Sequence, residues 1–572
     1  MIPPGAVPFA AKGLARALCV YVNADYITED AALRDYAFAI PSEIEHESDF
    51  TSNAKTFFAE RYGGDGIGEH GGAGRCGTTA EFQIKGIGRT PLIGGHLGED
   101  GIWHTHGGMA CMDAIREAIW GEVFSYALPH GAVRVVAIIL TGTDCWFEGP
   151  RGERATAPRA LVVREVAIRP AHFFRAVYFR PNPALGLESD ASRVKRAVNA
   201  LPEFLPPTNS VGRVAPIDHL IGGLAEMASR MASQCAAAQS RRLLHGTLNG
   251  SNIGLDGRWI DYGTATLLPT YANAKSYGAP RQFATLWEEQ TRPAAIIDQF
   301  CFYINKYFAF PRGGMRILSD ALKTHYWSSY DSALMMSHLR MLGLPDDLLK
   351  SVAARPESVA LARELMNITR GRNRERIEPA SHESDALERN ILGNVLIRLA
   401  RNVECGDPEV ELSELLPDSQ LRERLCNAYE QFFGILCQSE ECAGISRKSL
   451  TTMAALKAAK LTRSFDELIR QEMAMDNYRI VQHALKSGEW RDGITGKIER
   501  LRDIAATLYS SHDEWDVLAW QHRDERVWFM GRREVWRSEY RGGHLVSKNL
   551  DPVNPALVGM LKFWGDYARW FV

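Results

Sequence analysis

The sequence predicts an α+β fold in which strands lead and helices follow. Three observations carry this expectation. Two β-branched runs, VRVVAIIL from Val133 and LVVREVAI from Leu161, read as strands. A long helical stretch, APIDHLIGGLAEMASRMASQCAAAQ, lies beyond them. From about residue 285 onward the pattern is mainly helical and arginine-rich, with no detectable repeat.

In chain order, residues 1–55 are mixed and yield no clear element. RYGGDGIGEHGGAGRCG, Arg61 to Gly77, is the most glycine-dense stretch. EFQIK follows as a strand, with Phe82 and Ile84 on one face and Glu81, Gln83 and Lys85 on the other. A second Gly/His-rich loop covers Ile93 to Gly108. MDAIREAIWGEVFSYAL reads as a helix, because Ile115, Ile119, Val123 and Ala127 recur at helical spacing. In HGTLNGSNIGLDGRWIDYG, His245 to Gly263, the segments NIGL, DGR and WID read as strand, turn and strand around an Asp-Gly pair. VWFMGRREVW near the C-terminus reads as a hairpin within the helical region. The chain of 572 residues is too long for one core. The predicted organisation is an N-terminal segment over 1–55, a strand-rich region with the glycine loop, the EFQIK strand and the following helix over 56–170, a core with the His245–Gly263 stretch over 171–310, and a helical region over 311–572.

Hydrophobic residues make up 45% and charged residues 24%, as in ordinary soluble globular proteins. Lys+Arg is 66 and Asp+Glu 69, a net charge of −3, which gives no electrostatic reason to expect nucleic acid or a membrane surface as partner. No apolar run approaches a bilayer span, and no signal peptide is predicted at the N-terminus. The ten cysteines are scattered without a CxxC pair, which fits reduced thiols and a cytoplasmic location.

The chemistry-bearing residues form an ordered set. A lysine on a strand after a glycine-rich loop is how a kinase-like fold holds an ATP phosphate, and Lys85 has that position. The glycines leave backbone N–H groups to meet phosphate oxygens. Glu117, on the next helix, is placed to pair with the lysine. Asn252 and Asp261 are oxygen ligands suited to magnesium. Arg164 and Arg169, in or after a strand, could reach phosphates. Each has a plain alternative: a solvated strand lysine, one glutamate among several, an Asn turn, a helix cap, surface arginines. The order along one chain favours the joint reading. His70, His104, His106 and Cys111 lack zinc-ligand spacing, and there is no G-x-S-x-G elbow.

These residues resemble the selenoprotein O (SelO/YdiU) family, protein adenylyltransferases on a kinase-like fold, over roughly residues 60–310. GGAGR, Gly71 to Arg75, is similar to the family's GDGR loop, and FQIKGIGRTP to its KGxGxTP block. IREAIW carries Glu117; ALVVR and IRPAHF resemble the segments whose arginines bind nucleotide; HGTLNGSN and IDYG resemble HGxxNTDN and the DFG or DYG motif. The resemblance implies a bilobal protein-kinase-like fold with a mainly helical C-terminal extension. It implies ATP with Mg2+ or Mn2+, and nucleotide contacts from Gly72, Gly74, Arg75, Lys85, His106, Gly107, Arg164 and Arg169. It also implies metal ligation by Asn252 and Asp261, a flipped nucleotide, AMP transfer to a protein or peptide acceptor and release of pyrophosphate. The chain departs from the family where its presumed acidic base is Ser251, and where an Asp-Gly is His106-Gly107. A serine hydroxyl is no base at neutral pH. A hydroxyl acceptor would therefore lack help, whereas a carboxylate acceptor is already ionised. Relatives of the microcin-maturation type (MchC/MceJ), which link a peptide C-terminus to a sugar, fit the missing acid. Three readings follow: hydroxyl AMPylation, acyl-adenylate formation on a carboxylate, and a catalytically silent nucleotide-binding scaffold.

Overall fold

The computed structural model describes residues 5–41, 45–94, 106–148, 154–207, 216–275, 283–310, 316–373, 375–379, 389–401, 408–473, 477–509, 515–522, 525–540 and 543–547. The chain divides into two compact units. The first comprises Met1–Leu267, Gly278–Tyr330 and Gln471–Ala506; the second comprises Leu268–Tyr277, Asp331–Arg470 and Thr507–Val572.

The first unit is built on an eight-stranded sheet. Its strands are β1 (Val7–Leu14), β2 (Leu18–Val22), β3 (Phe38–Ala39), β4 (Phe50–Ala59), β5 (Cys76–Thr78), β6 (Phe82–Lys85), β7 (Val135–Glu148) and β8 (Arg154–Glu165), in the order β2-β7-β8-β6-β5-β4-β1-β3. Neighbouring strands pair antiparallel. The two β-branched runs form the long β7–β8 hairpin, as their composition predicts. The expected helix is α2 (Cys111–Ala127), following α1 (Glu29–Tyr36) in the chain.

Residues 1–55, which gave no sequence signal, supply β1 to β3, α1 and the start of β4. Thr28 caps α1 by accepting the Ala31 N–H at 3.3 Å, and Glu29 and Asp30 sit in the first turn, where the helix dipole favours acids. One sheet face buries Ile84, Ile139, Leu161, Val163, Phe57 and Tyr36 in a common apolar core. Residues from the last third of the chain also join this unit. Asn477 Nδ2 donates to the Met112 carbonyl at 3.1 Å, and Thr495 Oγ1 to the Val20 carbonyl at 3.1 Å.

The second unit is mostly helical, and its helices Pro356–Arg370 and Ser419–Cys437 pack on each other. The predicted C-terminal hairpin exists as Glu525–Met530 paired with Val535–Tyr540, and it is part of a four-stranded antiparallel sheet completed by Asp516–His522 and Gly543–Ser547. No described helix is long and apolar enough to cross a membrane.

His338 is buried in the second unit, with Nδ1 bonded to the Leu334 carbonyl at 2.8 Å. Burial lowers its pKa from 6.5 to about 4. Between those values the unfolded chain binds the extra proton and the folded one does not, so the stability is present above pH 6.5 and is lost as pH falls toward 4. His338→Phe is expected to flatten that acid arm by about 3 kcal/mol. Denaturant titrations of both proteins across this range check it; equal pH slopes would refute the assignment.

Candidate functional site

Strand register gathers the charged residues of the first unit. On β6, Lys85 lies opposite Cys76 and Val162, and Gln83 lies opposite Thr78 and Arg164. Sequence alternation put Gln83 and Lys85 on a polar face, and a polar face exists, but it is not solvent. The two residues are 1% and 2% exposed. α2 packs against the neighbouring strands β7 and β8. It brings in Glu117, whose carboxylate accepts the Lys85 ammonium on one oxygen and Arg164 Nη1, at 3.3 Å, on the other. Lys85 also donates to Asp261 Oδ1 at 2.5 Å. The reading of Lys85 as a solvated strand lysine is thereby excluded.

Asp261 and Asn252 stand at the two ends of one tight hairpin. The Ile260 N–H donates to the Asn252 carbonyl at 3.0 Å, and the Gly254 N–H to the Arg258 carbonyl at 2.8 Å. The turn needs Gly257, at φ +89°. Asp261 itself has φ +73°, a left-handed conformation that a non-glycine residue holds only when its surroundings fix it. It is no helix cap.

Burial opposes ionisation of Asp261, but the Lys85 ammonium and the charges of Arg164 and Arg75 override it and hold the carboxyl well below the usual carboxylate range. Burial pushes the Glu117 carboxyl upward. The anion is nonetheless the form that fits, because each of its oxygens accepts from a cation, one from Lys85 and the other from Arg164.

The donor set suits a hard divalent cation. Asn252 Nδ2 donates to the Thr247 carbonyl at 2.8 Å, which turns Oδ1 the other way. The single Ser251 hydroxyl proton goes to Asn249 Oδ1 at 2.7 Å, closer than Asn252 Oδ1 at 3.2 Å. Asn252 Oδ1 and the second Asp261 oxygen are thus both available as ligands, and the Asp261 side chain is 36% exposed.

The other predicted residues divide. In the glycine loop, the N–H groups of Gly71, Ala73 and Gly74 are bonded to the carbonyls of Leu92, Glu60 and Gly72, so the expectation that they stay free for phosphate is not met. A Cβ on Gly72 would lie 2.2 Å from the Glu60 carbonyl oxygen, so this glycine serves packing against the chain beyond β4. Arg75 is half-buried, bonds the Gly108 carbonyl at 3.3 Å and contributes to the field at Asp261. Gly107, at φ +78°, packs so closely on Gly88 that a Cβ would lie 2.3 Å from the Gly88 carbonyl carbon. His106 Nδ1 accepts the Gly108 N–H at 3.0 Å.

Arg164 and Arg169, expected to point at phosphates, are both turned inward. Arg164 donates to Gln83 Oε1 at 2.7 and 2.9 Å besides Glu117, and Arg169 donates to the Ser251 carbonyl at 2.9 Å and to Glu60 at 3.2 Å. His245 is fully buried and its Nε2 is bonded to the Ile260 carbonyl at 3.0 Å. His104 lies outside the described residues. Among the described residues there is no cluster of three or more His, Cys, Asp or Glu side chains fit for a metal. A cavity of about 460 Å³ in the second unit is lined by Arg389, Arg463, Arg470 and Thr462, among others, and by none of the predicted site residues.

Three carboxylate and imidazole partners escaped sequence analysis. Glu60, fully buried, accepts from Thr78, from Gln83 Nε2 at 2.7 Å, from Arg169 and from His172. Burial works against its charge, yet the His172 hydrogen bond and the Arg169 charge hold its pKa down at about 2. His172 Nδ1 accepts the Arg169 N–H, so Nε2–H donates to Glu60, and burial keeps the ring neutral. Glu289 accepts the N–H groups of His245 and Gly246, anchoring the start of the loop that carries Ser251 and Asn252. The one available signal was Gln83, a second polar residue two positions before Lys85 on the same strand face.

No family model matches the chain. It is 26% identical over 217 residues to a protein nucleotidyltransferase YdiU of Trichodesmium erythraeum (strain IMS101), covering 37% of this chain and 41% of that protein. It is 26% identical over 206 residues to a protein nucleotidyltransferase YdiU of Mycolicibacterium smegmatis (strain ATCC 700084 / mc(2)155), covering 36% of this chain and 37% of that protein. The matched part therefore spans about two fifths of these curated relatives.

Removing Glu117 leaves two buried cations without their shared acceptor. Glu117→Leu is expected to destabilise the first unit by about 3–5 kcal/mol, read by chemical denaturation. A loss of under about 1 kcal/mol, the range of an exposed pair, would contradict the burial described.

Proposed function

We propose that this chain, a divergent relative of the YdiU protein nucleotidyltransferases, is an ATP- and Mg2+-dependent adenylyltransferase of protein-kinase-like fold. One observation carries the reading. Lys85, Glu117 and Asp261, from three distant segments, share one ion cluster, and Asn252 is tied to Asp261 through a single hairpin. A silent scaffold has no need of two oxygen ligands held ready for a cation.

In this reading Lys85 and Arg75 hold the phosphates, and Glu117 orients Lys85. Arg164 and Arg169 act through Glu117 and the Ser251 backbone rather than on the nucleotide. Asn252 and Asp261 would hold a divalent cation, which would supply charge neutralisation at the phosphates. The α-phosphorus faces the acceptor. An acceptor oxygen bonds to it, the bond to the β-phosphate bridging oxygen breaks, and pyrophosphate leaves.

The proton bears on the acceptor class. No described carboxylate or imidazole bonds to Ser251, whose hydroxyl donates to Asn249. That supports an acceptor that brings no proton, a peptide or protein carboxylate, with an acyl adenylate as product. A hydroxyl acceptor would forgo the roughly 10²–10⁴-fold contribution of a positioned base.

ATP labelled at the α or the γ phosphate, with Mg2+ and candidate acceptors, separates the readings. Stable α label on protein supports hydroxyl AMPylation. Pyrophosphate release with hydroxamate formation in hydroxylamine supports the acyl adenylate. γ label supports ordinary phosphoryl transfer, and binding without turnover supports the scaffold. Asp261→Ala is expected to lower transfer at least about 100-fold. Ser251→Ala is expected to be nearly neutral, and a large loss there would rule out the carboxylate acceptor.

A further inference from the structure

The two ends of the catalytic hairpin are joined a second time, through the sheet. From the Ser251 carbonyl the path runs to Arg169 (2.9 Å), to Glu60 (3.2 Å), to Gln83 Nε2 (2.7 Å), from Gln83 Oε1 to Arg164 (2.7 Å), to Glu117 (3.3 Å), to Lys85, and to Asp261 (2.5 Å). It begins at the residue before Asn252 and ends at Asp261.

Two ion clusters lie on this path. Glu60 with Arg169 is one; Lys85 and Arg164 with Glu117 and Asp261 is the other. Each balances its charges, and Gln83 is the neutral link between them. Its amide has one workable orientation. Oε1 meets two Arg164 N–H groups and Nε2 meets Glu60, whereas the flipped amide would set oxygen against carboxylate and NH2 against guanidinium. β6 register supplies this link, since Gln83 lies opposite both Thr78 and Arg164.

The segment 168–171 adds backbone support. Ala171 N–H donates to the Gly250 carbonyl at 2.9 Å, and Leu255 N–H to the Ile168 carbonyl at 2.8 Å. Arg169 extends from this segment to the Ser251 carbonyl, and Glu60 fixes Arg169 from behind, with its guanidinium stacked 4.8 Å from the Tyr62 ring.

We propose that Glu60 and Gln83 are positioning residues. Together they fix the spacing of Asn252 and Asp261 by holding Ser251 from one side and Glu117 with Lys85 from the other. Neither touches the nucleotide. The consequence for transfer rests on the function proposed above, but the effect on the hairpin does not.

Gln83→Met and Glu60→Gln test this, each confirmed as folded by its unfolding transition. Amide hydrogen exchange is read at 249–254 and at 259–262, alongside ATP affinity and α-phosphate transfer. Gln83→Met breaks the link, and both segments are expected to exchange at least about tenfold faster, the factor of one lost buried partner. Glu60→Gln removes the anion behind Arg169, and the expected change is confined to 249–254. Transfer should fall about 10- to 100-fold, the usual effect of losing a support behind a ligand, with metal-free ATP affinity retained. Gln83→Glu restores the acceptor for Arg164 but repels Glu60, so 259–262 should regain protection while 249–254 does not. Should Gln83→Met fail to fold, Glu60→Gln and Gln83→Glu carry the test. Unchanged exchange at 249–254 in folded variants overturns the proposal, as does a uniform rise across the first unit. Wild-type protein without α-phosphate transfer would remove the functional reading alone and leave the exchange result standing.

Discussion

Lys85 gives one ammonium to two carboxylates, and most of the first unit is arranged so that it can. Glu117 comes down from α2, Asp261 comes up from the hairpin, and the sheet holds the lysine between them. Glu117 could not be buried alone, because an unpaired charge in such a place carries a heavy desolvation penalty. Arg164 completes the balance, so the cluster Lys85, Arg164, Glu117 and Asp261 is neutral as a whole. The remaining architecture follows from this requirement: β8 must pair with β6 in the register that sets Arg164 by Gln83, and Asp261 must turn into its left-handed conformation to reach Lys85.

Buried ion clusters of this kind are poor investments in stability, since well-packed apolar side chains of the same volume do as well or better. Two of them lie side by side in the first unit, in a sheet whose other face is apolar. Local strain at Asp261 lies at the same spot. Concentrated charge, desolvation and strain at one place in an otherwise ordinary α+β fold are what a functional centre needs and a scaffold does not. The exposed edge of Asp261 is where that stored charge meets solvent.

Much of this was legible in the sequence, for reasons that differ by residue. The β7–β8 hairpin and α2 announced themselves because they are long and strongly periodic. The Asp256-Gly257 turn was readable because few residues tolerate its backbone. Lys85, Glu117, Asn252 and Asp261 could be named from their order. The N-terminal strands were not legible: β1, VPFAAKGL, carries small residues and a lysine, and its pairing with β4 is set by distant chain. Glu60 looked like any surface acid, since nothing local marks a residue whose partners are 18 to 112 positions away. The inward turn of Arg164 and Arg169 was equally hidden, because an arginine's reach allows either direction and only the acceptors behind it decide.

The absence of an acid at position 251 is coherent with this geometry. An aspartate there would add a negative side chain within one residue of Asn252 and beside the Asn249 oxygen that Ser251 now engages. The loop as built is closed by neutral Asn and Ser hydrogen bonds, and its own imidazole, His245, is committed to the Ile260 carbonyl. Nothing described in it accepts a proton. A loop without a free base of its own favours, in the function proposed above, an acceptor that arrives already anionic, such as a carboxylate.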